Sequence, residues 1–94
     1  MRVRWLGTAL SDLDTIAEYI SRDNPEAAAH FAETIENSVN LLRTHPSAGR
    51  PGRIVGTREL IIAGMPYILP YRVRTDAIEI LRVYHAARKW PKSL

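Results

Sequence analysis

The sequence predicts one α+β domain over residues 1–94, with an N-terminal strand, an antiparallel helical hairpin and a mainly antiparallel sheet that ends in a three-stranded meander. Three observations predict this class. The 94 residues suffice for one small domain but not for two. Apolar residues recur at helical spacing in the first half and alternate with polar ones in the second half. A segment rich in proline and glycine, residues 45–52, separates the two halves and breaks the second helix.

The first predicted elements are a short strand over residues 2–5 and the helix that follows it. Polar and apolar residues alternate in the strand, with Val3 and Trp5 on one face. Thr8 is expected to cap the helix, because its hydroxyl can accept a hydrogen bond from the first turn. The apolar face of this helix comprises Leu10, Leu13, Ile16, Ala17 and Ile20.

The second predicted helix has a stronger start signal and reaches about Arg43. Asn24, Pro25 and Glu26 are typical of an N-cap, a first helical position and an acidic first turn. Its apolar face comprises Ala28, Phe31, Ile35, Val39 and Leu42. Because only a short turn around Asp23 separates the two helices, we expect a hairpin that covers one face of the sheet.

Three further strands are predicted after the segment that breaks the second helix. They are expected at residues 58–62, 67–74 and 77–85. Their close spacing indicates an antiparallel meander, and apolar residues on both faces of the last strand indicate an interior position. Pro70 has no N–H for the middle strand, so we expect it at a bulge or with its nitrogen facing no partner.

Composition excludes several classes of function. Hydrophobic residues make up 46% of the chain and charged residues 24%, and cysteine is absent, which excludes a disulfide framework, a thiolate zinc site and a cysteine nucleophile. No apolar run approaches the roughly 18 residues of a membrane span, so a cytoplasmic protein is expected. The spacing of His30, His45 and His85 is not typical of a metal site, and no metal or cofactor is expected.

Charge is divided unevenly between the two halves of the chain. Residues 1–42 contain three arginines against seven acids, a net charge of −4, whereas residues 43–94 contain ten basic residues against three acids, a net charge of +7. Eleven of the thirteen basic residues are arginine, whose planar guanidinium binds phosphate and stacks on bases. The C-terminal half is therefore expected to face nucleic acid or an acidic protein segment, unless the charge only solvates the surface.

Polar residues of the predicted sheet and of the tail offer the groups that metal-free RNA cleavage needs. That reaction requires a general base, a general acid and cations that stabilise the phosphorane. Glu59 and His85 are the acid–base candidates, and Arg58, Arg72 and Arg88 are the candidate phosphate ligands. The alternative is an ion-pair network between the arginines and the glutamates of the strands, which would serve only the fold.

Five segments carry a family resemblance through their order and spacing. They are residues 9–20 (ALSDLDTIAEYI), 41–50 (LLRTHPSAGR), 58–60 (REL), 71–73 (YRV) and 78–85 (IEILRVYH). Together they resemble the RelE/ParE superfamily of bacterial toxins from type II toxin–antitoxin modules, over nearly the whole chain. The resemblance implies a RelE/ParE-like fold and a cognate antitoxin, which we expect to bind at the rim between the helical hairpin and the sheet.

The superfamily has two main activities, and the resemblance is closer to the ParE branch. ParE-like members poison DNA gyrase, whereas RelE-like members cut mRNA in the ribosomal A site. Several RelE-like nucleases carry an arginine in a middle strand of the type YRLVY, where this chain has Ile68. The resemblance therefore implies a binding inhibitor of DNA gyrase that uses its basic C-terminal strand and tail, with Arg82, Arg88, Lys89 and Trp90 as target-binding residues.

Two alternatives remain open at this point. One is a ribosome-dependent mRNA endoribonuclease that uses the acid–base and arginine candidates given above. The other is an inactive family member that only binds an antitoxin. Trp90 is either an aromatic anchor for a partner or a residue that folds back to close the core.

Overall fold

The computed structural model describes residues 1–94 as two helices packed on one face of a mixed six-stranded sheet. The predicted α+β architecture is confirmed. In chain order the elements are β1 (Arg2–Trp5), α1 (Gly7–Asp23), α2 (Pro25–Leu41), β2 (Arg50–Pro51), β3 (Arg58–Ile61), β4 (Tyr67–Val73), β5 (Ala77–Ile80) and β6 (Tyr84–His85).

The sheet has the strand order β1-β5-β4-β3-β2, and β6 also pairs with β4. Strand β1 runs parallel to β5, and all other pairs are antiparallel. The short strand β2 is an addition to the sequence prediction, because it lies inside the segment expected to be a loop. Strand β1 is an edge strand, since it pairs only with β5.

The predicted last strand is interrupted between β5 and β6. Tyr71 lies opposite Ile80 in the register, but Ile68 lies opposite Tyr84, so the returning chain holds one extra residue. This is a β-bulge. Pro70 lies at the interruption, and its carbonyl accepts a hydrogen bond of 2.9 Å from the bulged segment. The prediction for Pro70 is confirmed.

The core lies between α2 and the inner face of the sheet. Helix α2 contributes the buried residues Phe31, Ile35 and Val39, whereas the only fully buried residue of α1 is Ala9. The other apolar side chains of α1 that pack against the core are only partly buried. Helix α1 therefore leaves apolar surface next to the core.

The predicted role of Thr8 as a helix cap is wrong. Helix α1 begins at Gly7, its N-cap is Leu6, and no side chain caps it. The Thr8 hydroxyl instead donates a hydrogen bond of 2.9 Å to the Leu81 carbonyl. Thr8 thus connects α1 to the bulge. The Leu81 carbonyl is available to Thr8 because a bulge leaves a backbone group without its partner in the sheet.

The predicted start of α2 is confirmed. The Asn24 side chain accepts a hydrogen bond of 3.1 Å from the Ala27 N–H, and Pro25 is the first helical residue. The helix ends at Leu41, two residues before the predicted end. Asn24 alone separates α1 from α2, so the two helices form the expected hairpin.

Candidate functional site

The segment after α2 is held by the buried hydroxyl of Tyr71. This hydroxyl donates a hydrogen bond of 2.7 Å to the Pro46 carbonyl and accepts one of 2.8 Å from the Gly49 N–H. Burial raises the pKa of Tyr71, so the hydroxyl stays protonated and available as a donor. The Arg58 guanidinium donates a further bond of 2.8 Å to the Gly49 carbonyl. Arg58, predicted as a phosphate ligand, therefore supports this loop.

The Glu59 carboxylate is committed to two arginines. It is 2% exposed and accepts hydrogen bonds of 2.8–3.3 Å from the side chains of Arg50 and Arg53 and from the Arg53 N–H. Burial raises the pKa of Glu59, but the hydrogen bonds from Arg53 and Arg50 outweigh it and hold the pKa below its usual range. A carboxylate with so many donors is a poor general base.

Glu59 and His85 lie on opposite faces of the sheet. Cross-strand neighbours share a face, and Glu59 lies opposite Pro70 while His85 lies opposite Tyr67. Pro70 and Tyr67 are three residues apart in β4, so their side chains project to opposite faces. The structure therefore does not bring Glu59 and His85, the two acid–base candidates, together in one site.

His85 instead lines a surface groove beside α1. Its ring lies 5.7 Å from the Tyr67 ring, edge to face, and its Nδ1 accepts a hydrogen bond of 3.1 Å from the Ala87 N–H. The groove has a volume of about 320 Å³ and is also lined by Tyr19 and Arg88. No carboxylate lines it, so His85 has no acidic partner there.

The arginines predicted as candidate phosphate ligands do not converge. Arg58 lies opposite Tyr71, whose side chain is part of the core, whereas Arg72 projects from the other face of β4. Arg88 lies in the C-terminal tail, with its guanidinium carbon 5.2 Å from the centre of the Tyr84 ring. These side chains do not form one phosphate site.

Arg82 connects the bulge to helix α1. Its guanidinium donates two hydrogen bonds, of 2.7 and 2.9 Å, to the Asp12 carboxylate, which also accepts one of 3.0 Å from the Val83 N–H. The hydrogen bond with Asp12 raises the pKa of Arg82 above its ordinary value. Arg82, predicted as a target-binding residue, is thus engaged within the fold.

The C-terminal tail folds back on the sheet through Trp90. Its ring lies 4.8 Å from the Tyr84 ring, and the Arg53 guanidinium carbon lies 3.7 Å from the Trp90 ring centre, a cation–π distance. Trp90 therefore packs locally and joins the tail, β6 and the loop between β2 and β3. The neighbouring Arg88 and Lys89 are exposed and have no carboxylate within 4 Å.

The sheet face that the helices leave uncovered, called the outer face below, carries two buried carboxylates. One is Glu59. The other is Glu79, which pairs with Arg4, with Arg74 at 3.1 Å and with Arg72 at 3.5 Å. The hydrogen bond from Arg74 is the main reason that the pKa of Glu79 lies below its usual range.

An apolar groove borders the edge strand β1. It has a volume of about 250 Å³, lies between the hairpin and β1, and has Arg43 at its rim. Its apolar lining includes Val3, Trp5, Leu10, Leu13, Ile35 and Val39. The groove occupies the rim between helices and sheet at which the sequence analysis expects an antitoxin to bind. The sequence does not predict the volume of this groove, because the volume depends on how few side chains of α1 are buried against the core.

The structure contains neither a helix that could span a membrane nor a cluster of side chains that could hold a metal ion. Neither helix has the length and apolar character needed to cross a membrane. No group of three histidine, aspartate or glutamate side chains is placed to hold a metal ion.

The fold is that of a toxin–antitoxin protein. A solved structure described as the chromosomal ParDE TA system from P. aeruginosa superposes with a TM-score of 0.82 at 32% sequence identity, covering 90% of this chain and 95% of that one.

Sequence comparison defines the family. The pattern of the family "ParE toxin of type II toxin-antitoxin system, parDE" matches residues 3–90. A protein named as a candidate toxin, Y4kP of Sinorhizobium fredii, is 50% identical over 93 residues. These residues are 99% of this chain and 96% of that protein. Toxin RelE2 of Caulobacter vibrioides is 34% identical over 87 residues, 93% and 97% of the two chains. The chain belongs to the ParE toxin family of type II toxin–antitoxin systems.

Proposed function

We propose that this ParE-family toxin arrests growth by poisoning DNA gyrase and is neutralised by a cognate antitoxin. One observation carries the proposal that it acts by binding rather than by chemistry. Glu59 and His85, the candidate acid–base pair, lie on opposite faces of the sheet, and Glu59 is saturated with hydrogen bonds from arginine. The chain offers binding surfaces in place of a reaction centre.

The groove beside β1 is the proposed antitoxin site. It combines an apolar floor with an edge strand whose outward backbone N–H and C=O groups are unpaired within the sheet. An amphipathic helix can bury its apolar face in such a groove, and an extended segment can add a strand to such an edge. Arg43 and Glu36 line the groove as well, so a partner segment can add an ion pair to its apolar contact there.

The tail is the proposed contact with gyrase. Trp90 holds it against the outer face, while Arg88 and Lys89 project into solvent without a carboxylate partner. Exposed cations on an ordered segment provide the electrostatic complementarity by which protein partners are selected.

The proposal is tested with antitoxin-free protein, DNA gyrase and supercoiled plasmid. We expect linear DNA to accumulate with the unaltered toxin and with the Arg22→Glu variant, which lowers the net charge by the same two units on α1. The Arg88→Gln/Lys89→Gln variant and the deletion of residues 88–94 are expected to lose this effect. Equal DNA cleavage by all four proteins would contradict the role of the tail.

The same proteins test the ribonuclease alternative. This alternative is included because the Caulobacter relative is named Toxin RelE2. We expect intact mRNA when the toxin is added to a translating extract. Cleaved mRNA, together with unchanged plasmid supercoiling in the gyrase reaction, would replace the gyrase proposal with ribosome-dependent cleavage.

A further inference from the structure

We propose that the outer face binds the backbone of duplex DNA without sequence preference. This inference goes beyond the poisoning of gyrase, because it concerns a direct contact between the toxin and DNA. It depends on the arrangement of five arginines about two buried carboxylates. The arginines are Arg4, Arg50, Arg53, Arg72 and Arg74, and the carboxylates are those of Glu59 and Glu79.

The arginines form rows that cross the sheet. In the first row, Arg4 of β1 lies opposite Glu79 of β5, which lies opposite Arg72 of β4. In the second row, Arg50 of β2 lies opposite Glu59 of β3. Cross-strand neighbours share a face, and Glu59 lies opposite Pro70 of β4. Pro70 and Arg72 are two residues apart in β4, so the two rows place their charges on the same side of the sheet. The outer face therefore carries arginines at both edges of the sheet, Arg4 on β1 and Arg50 on β2, and on the central strand β4.

The charge of this surface is not neutralised within the chain. Five guanidinium groups share two carboxylates, which leaves a net charge of +3 on the outer face. Each arginine side chain remains between 35% and 56% exposed. A guanidinium has five N–H donors, so each arginine has donors beyond those bonded to the glutamates, although the Nε of Arg72 is itself buried without a partner. The buried glutamates fix the positions of the five arginines but neutralise only two of their charges.

The chemistry of the surface fits phosphate, and its covered aromatic rings favour a duplex over a single strand. Guanidinium groups match the geometry of phosphate oxygens with paired hydrogen bonds. Proteins that bind single strands stack bases on exposed aromatic rings. On this face the Tyr84 ring is 2% exposed and covered by Trp90, whose own ring is packed between Tyr84 and Arg53. Without a stacking platform, contact with the phosphate backbone of a duplex is favoured.

The test is fluorescence anisotropy with a labelled 20-base-pair duplex of arbitrary sequence and no gyrase. If five phosphates are contacted, the affinity falls by about 500-fold between 50 and 200 mM salt. The Arg4→Gln/Arg74→Gln variant is expected to bind more weakly and to reduce the salt slope by about 2. The Arg22→Glu variant, which lowers the net charge by the same two units on α1, is expected to retain the slope of the unaltered protein.

A second variant guards against loss of folding. Ile61 projects from the outer face and is 53% exposed, so Ile61→Glu adds a negative charge there without removing a partner of either buried glutamate. We expect it to weaken duplex binding while unfolding at the same urea concentration as the unaltered protein. The proposal is overturned if the protein does not bind the duplex at 50 mM salt, or if the outer-face and helix variants lose equal affinity for it. It is also overturned if single-stranded RNA binds more tightly than the duplex, or if polyglutamate competes for the protein as effectively as unlabelled duplex. Because gyrase is absent, none of these results depends on the proposed poisoning.

Discussion

At the scale of single residues, the proline–glycine segment depends on one glycine. A Cβ at Gly49 would lie 2.5 Å from the Tyr71 ring and 2.8 Å from the Glu59 carbonyl oxygen, and both neighbours are buried. The Tyr71 hydroxyl is hydrogen bonded on both sides, so the ring cannot move away freely. Within residues 41–50, one of the segments that resemble the toxin superfamily, packing therefore requires glycine at position 49.

We expect Gly49→Ala to lower the free energy of unfolding by about 1–3 kcal/mol, because the added methyl group overpacks this contact. Gly7→Ala is the matched control, since a Cβ at Gly7 meets nothing within 4 Å. Urea unfolding measures both. A Gly49→Ala protein as stable as the Gly7→Ala protein would show that the loop adjusts without cost.

The two buried glutamates make the stability depend on pH. The pKa of Glu59 in the folded protein lies below the value of 4.5 for an unperturbed glutamate. The stability that it contributes is therefore fully present above the unfolded pKa and is lost as the pH falls through the folded one. Glu79 acts in the same direction.

We expect the free energy of unfolding to decrease as the pH is lowered from 6 to 3. Glu59→Gln is expected to be less stable at pH 7 and to lose part of this dependence, because it removes one titrating group. Urea titrations over the pH range measure this. An identical pH slope in the variant would mean that the pKa of Glu59 is not lowered by folding.

At the scale of elements, the tail is attached to the sheet by a chain of contacts from Glu59 through Arg53 to Trp90. Glu59 binds the Arg53 guanidinium and backbone, and Arg53 lies over the Trp90 ring. Arg50 binds the same carboxylate but is not among the residues stacked on Trp90. Substituting Arg53 therefore tests the attachment of the tail, whereas substituting Arg50 tests only the ion pair with Glu59.

We expect Arg53→Ala to release the tail, which shifts the Trp90 fluorescence to longer wavelength and accelerates digestion by carboxypeptidase. The measurement uses a Trp5→Phe background, because Trp5 is the only other tryptophan. Arg50→Ala is the control and is expected to leave both signals unchanged. Equal shifts in the two variants would assign the effect to loss of the Glu59 ion pairs instead of to the cation–π contact.

Most elements were predictable from local patterns, and the exceptions have a common cause. The start of α2 followed from Asn24 and Pro25, whose preference for that position is local. The sequence does not place the bulge between β5 and β6, because the bulge depends on how the returning chain pairs with β4. It favours a cap at Thr8, because the true partner of Thr8, the Leu81 carbonyl, lies over seventy residues away. Pro70 was the one local signal of that interruption.

At the scale of the whole molecule, the chain separates the groove beside β1 from the two other proposed binding surfaces, the tail and the outer face. The groove beside β1 lies on the helical side of the sheet, and the arginine rows lie on the outer face. An antitoxin in the groove leaves the arginine rows on the opposite face of the sheet. Substitutions in the groove should therefore change neutralisation without changing toxicity.

We expect Leu10→Glu to weaken antitoxin binding at least tenfold, because it places a charge in the apolar groove, while gyrase poisoning is retained. Leu10 is 45% exposed, so the substitution removes little from the core. Tyr19→Glu is the control, on the same helix but outside this groove. Affinity for the co-expressed antitoxin and plasmid cleavage are measured together. Unchanged affinity in the Leu10 variant would place the antitoxin elsewhere.

The sequence by itself determined the fold class, the helical hairpin, the basic character of the C-terminal half and membership of the toxin superfamily, because these depend on periodicity, capping, composition and motif order. Only the tertiary structure decided what the polar residues do. Strand register placed Glu59 and His85 on opposite faces, and the bulge aligned Arg82 with Asp12 of α1. These outcomes depend on pairing between distant segments, in which one extra residue reverses the face that a side chain occupies.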